Sequence, residues 1–118
     1  MAGRKISGGK YHKARKKKKY ERRGHDRVVR LADRKVKMIR GRGGSLKQVS
    51  LAQNTINIIK NGKGKVAKIK NVVETPSNRF LARQNVLVKG AIVDTDLGKA
   101  RITNRPTQEG HVQGVLVE

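Results

Sequence analysis

Residues 1–33 carry thirteen Lys or Arg against three acids and too few apolar side chains to close a core. This segment limits what the chain can fold into more than any other feature. Its densest stretch, Lys13-Ala14-Arg15-Lys16-Lys17-Lys18-Lys19-Tyr20-Glu21-Arg22-Arg23, sets like charges side by side, where they repel one another unless phosphates or counterions intervene. The expectation is an extended basic N-terminal arm that takes its order from a polyanion. The other 85 residues hold seventeen bases against five acids, so the surplus of +22 divides into +10 on the arm and +12 beyond it. A folded part that is itself this basic points to nucleic acid as the partner.

Several classes drop out on composition. No run of apolar residues exceeds three, as in Phe80-Leu81-Ala82, Ala91-Ile92-Val93 and Val115-Leu116-Val117. A spanning helix needs about 20 mostly apolar residues and a signal peptide needs an apolar stretch, so neither is expected, nor is a membrane partner. The chain has no Cys, which removes disulfides, thiolate zinc sites and a Cys nucleophile and fits a cytoplasmic location. Tyr11, Tyr20 and Phe80 are the three aromatic residues. With two of them in the arm, the core is expected to be aliphatic, built from Val, Ile, Leu and Ala around Phe80. Its margin is small, because ordering costs roughly 1.5 kcal/mol per residue against burial worth about 25 cal/mol per Å².

From residue 34 onward, short apolar segments alternate with turn signals, the rhythm of an all-β protein. Val36 and Met38 alternate with Lys35 and Lys37 before Gly41-Arg42-Gly43-Gly44 turns the chain back into Leu46 to Ala52. A helix over residues 26–39, with Val28, Leu31, Ala32, Val36 and Ile39 on one face, competes with a strand from about 34; the β-branched Val36 and Ile39 favour the strand. Thr55 to Lys60 and Lys65 to Val73 flank Asn61-Gly62-Lys63-Gly64, the strongest hairpin signal present. After Thr75-Pro76-Ser77-Asn78, a short helix or turn over Arg79 to Gln84 is expected, capped by Ser77 or Asn78. Val86 to Asp94, Ala100 to Arg105 and Val112 to Val117 complete the set. The predicted fold is a small barrel of about six to seven short antiparallel strands with one short helix, divided as arm 1–33 and barrel domain 34–118. Closure would remove exposed strand edges.

The candidate RNA-binding residues follow from charge and reach. In the arm they are Arg4, Lys5, Lys10, Tyr11, His12, Lys13, Arg15, Lys16, Lys17, Lys18, Lys19, Tyr20, Arg22, Arg23, Arg27 and Arg30. In the barrel they are Arg40 and Arg42 at the glycine-rich turn, Arg79, Arg83 and Arg105, with Lys89 and Arg101 near further turns. An arm of this length, at no more than about 3.6 Å per residue, reaches roughly 100 Å, enough to thread between RNA helices. Its glycines let phosphates approach, and its tyrosines have bases to stack on. Neutralising eight phosphates on single strands gives a log-log salt slope of about −6. Lys16 to Lys19 also fit a nuclear import signal, a weaker reading in a chain that is basic throughout.

Catalytic and metal readings find little support. His12, His25 and His111 lack metal-site spacing. Asp94 and Asp96 share a strand face, but no third carboxylate or nucleophile accompanies them, and opening a turn at Leu97-Gly98 is the simpler role. Gly41-Arg42-Gly43-Gly44 lacks the Gly-Lys-Ser/Thr ending of a P-loop. No cofactor, metal or small-molecule substrate is expected.

The order of motifs resembles the archaeal small-subunit ribosomal protein eight of the e-type, a family shared by archaea and eukaryotes. The carriers are Gly3-Arg4-Lys5 and Ser7-Gly8-Gly9 before the basic run, then Arg40-Gly41-Arg42-Gly43-Gly44 and Glu74-Thr75-Pro76-Ser77-Asn78-Arg79. Lys89-Gly90-Ala91-Ile92-Val93 and Ala100-Arg101-Ile102-Thr103-Asn104-Arg105-Pro106 follow. The resemblance implies a non-enzymatic constituent of the small ribosomal subunit, bracing small-subunit rRNA in the cytoplasm beside neighbouring ribosomal proteins. A free RNA-binding or RNA-chaperone module is the alternative that charge alone permits, and a metal-dependent nuclease using Asp94 and Asp96 is a third.

Overall fold

The Asn61-Gly62 loop takes the form its chemistry dictates. Both residues have positive φ, 52° and 72°, the backbone a two-residue hairpin loop needs to match the twist of its strands. The computed structural model describes residues 3–12 and 14–117, and in it this loop joins β4 (Thr55–Lys60) to β5 (Lys63–Glu74). Pairing runs from Thr55 opposite Lys68 to Lys60 opposite Lys63. The second strand therefore starts at Lys63 rather than Lys65, because two residues suffice to turn the chain.

The chain continues through α1 (Arg79–Arg83), β6 (Ile92–Thr95), β7 (Gly98–Ile102) and α2 (Pro106–Glu109) to β8 (Gln113–Leu116). Strands β4 to β8 form a closed barrel. Four antiparallel pairings are closed by a parallel seam between β4 and β8, from Asn57 opposite Gln113 to Ile59 opposite Val115. Closure leaves these five strands without a free edge.

Side-chain alternation fills the interior: on β4, Ile56 and Ile58 are buried, while Asn57 and Ile59 are exposed. Ala67, Ile69, Val93, Ala100 and Ile102 join them from the other strands, with Val29, Leu87, Ala91 and Val112 sealing the cluster. The core is aliphatic, as composition required, but it is not built around Phe80, which is 55% exposed. The physical reason is space. Eight strands enclose an interior that side chains just fill, and five enclose less, so small and β-branched residues take the inside. Gly114 occupies the tightest place, since a Cβ there would lie 2.7 Å from both the Arg101 carbonyl oxygen and Ile56 Cδ1.

The remaining strands make a second sheet. β1 (Arg30–Leu31) pairs in parallel with β3 (Leu46–Gln53), and β2 (Lys35–Arg40) pairs antiparallel with β3 on its other side. The strand over residues 35–40 thus prevails over the helix. β2 is an edge strand, and Lys35, Lys37 and Arg40 keep that edge charged. Residues 29–31 are pinned from the opposite side: Leu87 N donates to Val29 O at 2.9 Å and Leu31 N to Asn85 O at 3.1 Å.

Two local expectations change. The segment Val86 to Asp94 is a strand only from Ile92, because Asn85 and Gly90 at positive φ turn the chain on either side of Val86 to Val88, and Val86 keeps a single bridge to Arg30. A second short helix, α2, replaces the loop expected before Gly110, opened by Pro106 in its first turn. Asn78 caps α1 as expected, its side chain accepting from Phe80 N. No helix among the described residues is long and apolar enough to cross a membrane.

The seam supplies a test of the packing. Gly114→Ala forces its new methyl against backbone and Ile56, and is expected to destabilise the barrel by about 1–3 kcal/mol. At Gly64, near the start of β5, nothing lies within 4 Å of an added Cβ, so Gly64→Ala should stay within about 0.5 kcal/mol of the parent. Urea unfolding midpoints of the two variants measure the difference.

Candidate nucleic-acid interface

The radius of gyration, 20.7 Å, is well above the roughly 13–14 Å of a compact chain of this length, and the excess originates at the N-terminus. Among the described residues from Gly3 to Val28, all but Glu21 are exposed, and burial begins at Val29. The hydrogen bonds of the arm are local. Arg4 and Lys10 form a bridge around a turn, with Gly8 N donating to Lys5 O at 2.9 Å and Arg4 Nη1 to Gly8 O at 3.0 Å. Lys5 Nζ sits 5.8 Å from the centre of the Tyr11 ring, within cation–π range.

Farther along, Lys19–Glu21 forms one 3-10 turn. Glu21 organises it: Arg15 donates two hydrogen bonds to its carboxylate, at 2.9 and 2.7 Å, and Lys18 N donates a third at 3.0 Å. Arg22 Nε donates to Lys17 O at 3.3 Å. The bidentate Arg15 guanidinium, assisted by the Lys18 N–H, holds the Glu21 carboxyl below the usual carboxylate range. Arg15 is exposed and Glu21 half-buried, so the contact lies at the surface, open to salt screening.

Every described Lys and Arg, on arm and body alike, is exposed. Ion pairs among the described residues number three: Arg15 with Glu21, Arg23 with Asp26, and Lys70 with Asp96 at 3.6 Å. Arg40 and Arg42 flank Gly41 at the tip of the β2–β3 hairpin, Arg79 and Arg83 begin and end α1, and Arg105 is the N-cap of α2. Tyr11, His12 and Tyr20 are exposed. Lys13 lies outside the described residues. These side chains are spread over several faces and do not converge on one pocket.

One grouping was not foreseen from sequence. Arg23, His25, Asp26 and Arg27 at the root of the arm, with Thr107 and Gln108 of α2, line a polar cavity of about 380 Å³. A second feature passed over is β5, where Lys63, Lys65, Lys68 and Lys70 are all exposed. For Lys68 and Lys70 the signal was present in the alternation Ala67-Lys68-Ile69-Lys70, whose period of two sends lysine outward whenever isoleucine turns in. Lys63 and Lys65, by contrast, share the parity of Ala67 and Ile69 and are exposed at the hairpin end of the strand.

The two aspartates do not share a strand face, because β6 ends at Thr95 and Asp96 lies in the turn, where it pairs with Lys70. Asp94 is half-buried and lies opposite Lys99 in the β6–β7 pairing. The turn between these strands is tied by Thr95, whose Oγ1 donates to Gly98 O at 2.6 Å and accepts from Leu97 N at 3.3 Å. Among the described residues no three of His, Asp and Glu stand close enough together to hold a metal ion. His111 Nδ1 lies 3.0 Å from Glu109 O.

A closed aliphatic barrel with an added three-stranded sheet, a long basic extension and all its described cations outward defines a class of small basic β-barrel proteins. Within that class the chain belongs to the family described as Ribosomal protein S8e, which matches residues 2–117. Similar proteins include small ribosomal subunit protein eS8 of Nanoarchaeum equitans, 44% identical over 115 residues, covering 96% of this chain and 91% of that one. The protein of the same name from Haloarcula marismortui is 40% identical over 116 residues, covering 98% and 94%. That from Methanocorpusculum labreanum is 39% identical over 117 residues, with 98% and 94% covered.

The arm's one organised turn has a pH signature. Because the Glu21 carboxyl is lowered in the folded turn, the pairing contributes fully above the ordinary carboxylate range and is lost as pH falls through the lowered value. Carbon-detected NMR titration should find Glu21 titrating below the normal glutamate range at low salt, and Arg15→Ala should return it upward.

Proposed function

We propose that this chain is a structural constituent of the small ribosomal subunit that binds and braces small-subunit rRNA through its basic arm and the outer surface of its barrel. The observation that carries the reading is that every described Lys and Arg is exposed around an aliphatic core, with three ion pairs to offset them. Self-repulsion on this scale is relieved when phosphates replace counterions. Family membership and the names of the relatives support the small subunit as the setting, with neighbouring small-subunit proteins as further partners and the cytoplasmic ribosome as the location.

The proposed division of labour has two parts. Residues 1–33 form the rRNA-binding extension and 34–118 the barrel domain, with Val29 and Leu31 as the anchor that joins them. Arg4, Lys5, Lys10, Lys13, Arg15, Lys16 to Lys19, Arg22, Arg23, Arg27 and Arg30 neutralise phosphates along the arm. Tyr11, His12 and Tyr20 offer rings to unpaired bases. Arg40, Arg42, Arg79, Arg83 and Arg105, joined by Lys63, Lys65, Lys68 and Lys70 on β5, present charge from a rigid body. The mechanism is neutralisation and shape-matched bracing with little reading of base edges. No catalytic step is assigned.

Two measurements test this. The protein should co-migrate with small subunits in a density gradient run at high salt, and a free RNA-binding module would instead wash off. In filter binding to single-stranded rRNA, changing Lys16, Lys17, Lys18 and Lys19 together to Gln should reduce the log-log salt slope by about 3. An unchanged slope would remove these four residues from the interface.

A further inference from the structure

The segment Thr75 to Asn85 is held by more polar contacts than a five-residue helix needs for its own sake. Thr75 is 2% exposed; its hydroxyl donates to Asn78 O and accepts from Ala82 N at 3.1 Å. Asn78 Oδ1 accepts from Phe80 N at 3.0 Å, and Asn85 Oδ1 accepts from Val72 N of β5 at 3.2 Å. A helix this short does not hold itself in water. These side chains fix it against the barrel, with Leu81 and Ala82 half-buried and Arg79 and Phe80 exposed.

Phe80 is the chain's one phenylalanine, and it stands at 55% exposure with the Arg79 guanidinium 5.2 Å from its ring centre. A single exposed apolar side chain is ordinary. Here, however, all three aromatic residues are outside, next to Lys or Arg, while the core contains none. Residues 75–89 include Arg79, Arg83 and Lys89 and no acid. An aromatic ring backed by a guanidinium on a rigid base is the equipment that stacks an unpaired base while pairing its phosphate.

We infer that Arg79 and Phe80 form a stacking platform for one unpaired nucleotide of rRNA, set on the barrel by Thr75, Asn78 and Asn85. This rests on the rRNA-binding function proposed above and adds a specific contact to it. RNA is favoured over a protein partner because the surroundings are cationic and the apolar area is a single ring rather than a patch.

The full-length protein and its Phe80→Leu and Phe80→Trp variants are bound to small-subunit rRNA, and affinity, salt slope and base reactivity to chemical probes are read together. Phe80→Leu keeps an apolar side chain at an exposed position, so its thermal midpoint should match the parent. Its affinity should fall about tenfold with an unchanged salt slope, and one unpaired base should become reactive. Phe80→Trp should restore both. Equal affinity and an identical reactivity pattern in Phe80→Leu would overturn the inference, as would photo-cross-linking that joins position 80 to a neighbouring protein instead of a nucleotide. Failure of the parent protein itself to bind rRNA would overturn the rRNA function and the platform with it, a result distinct from loss in Phe80→Leu alone.

Discussion

Mutual repulsion among thirty Lys and Arg is the constraint around which the rest of the structure is arranged. Two unit charges about 4 Å apart in water repel by about 1 kcal/mol, and physiological salt screens beyond about 8 Å. The described cations accordingly all lie at the surface, where water and ions reach them. The hydrogen bonds of residues 3–28 are short-range, and their best-organised point is one where a glutamate has been placed among the bases.

That arrangement leaves folding to a small aliphatic core, and the barrel makes it sufficient. A closed sheet satisfies every strand with a neighbour, and on β5 alternation separates the inward Ala67 and Ile69 from the outward Lys68 and Lys70. The strands that build the core thereby also project charge. The seam at Gly114 shows how little space is left over, since even one methyl group meets backbone. The root of the arm joins this scheme at Val29, which is buried in the core cluster while Arg30 beside it is exposed. Extension and body are therefore connected through Val29 and Leu31, held by core packing, the β1–β3 pairing and the hydrogen bonds to Asn85 and Leu87.

What was legible in the sequence is what local chemistry decides. The Asn61-Gly62 hairpin, the Asn78 cap and the β-branched strand through Val36 and Ile39 each depend on neighbours a few residues away. Partition of the strands between a barrel and a separate sheet depends on pairings such as Arg30 with Ala52 or Ile58 with Gly114, which alternation does not encode. Phe80 was misplaced because hydrophobicity alone sends a phenylalanine inside, and the width of a five-stranded barrel appears only once the strands are assembled. For the candidate interface, the cations of the arm and turns were plain from charge density. The lysines of β5 were passed over because other residues separate each from the next, and their exposure depends on where the strand sits in the barrel and its hairpin.

The central claim is that arm and body are two basic surfaces of which only the body is ordered without a partner. Hydrogen–deuterium exchange of backbone amides, on the free protein and on the protein assembled into small subunits, tests it directly. The account predicts rapid exchange over residues 3–28 in the free state, slow exchange in β4 to β8 in both states, and protection of the arm on assembly. An arm already protected in the free protein, or one that still exchanges freely in the assembled subunit, would contradict it.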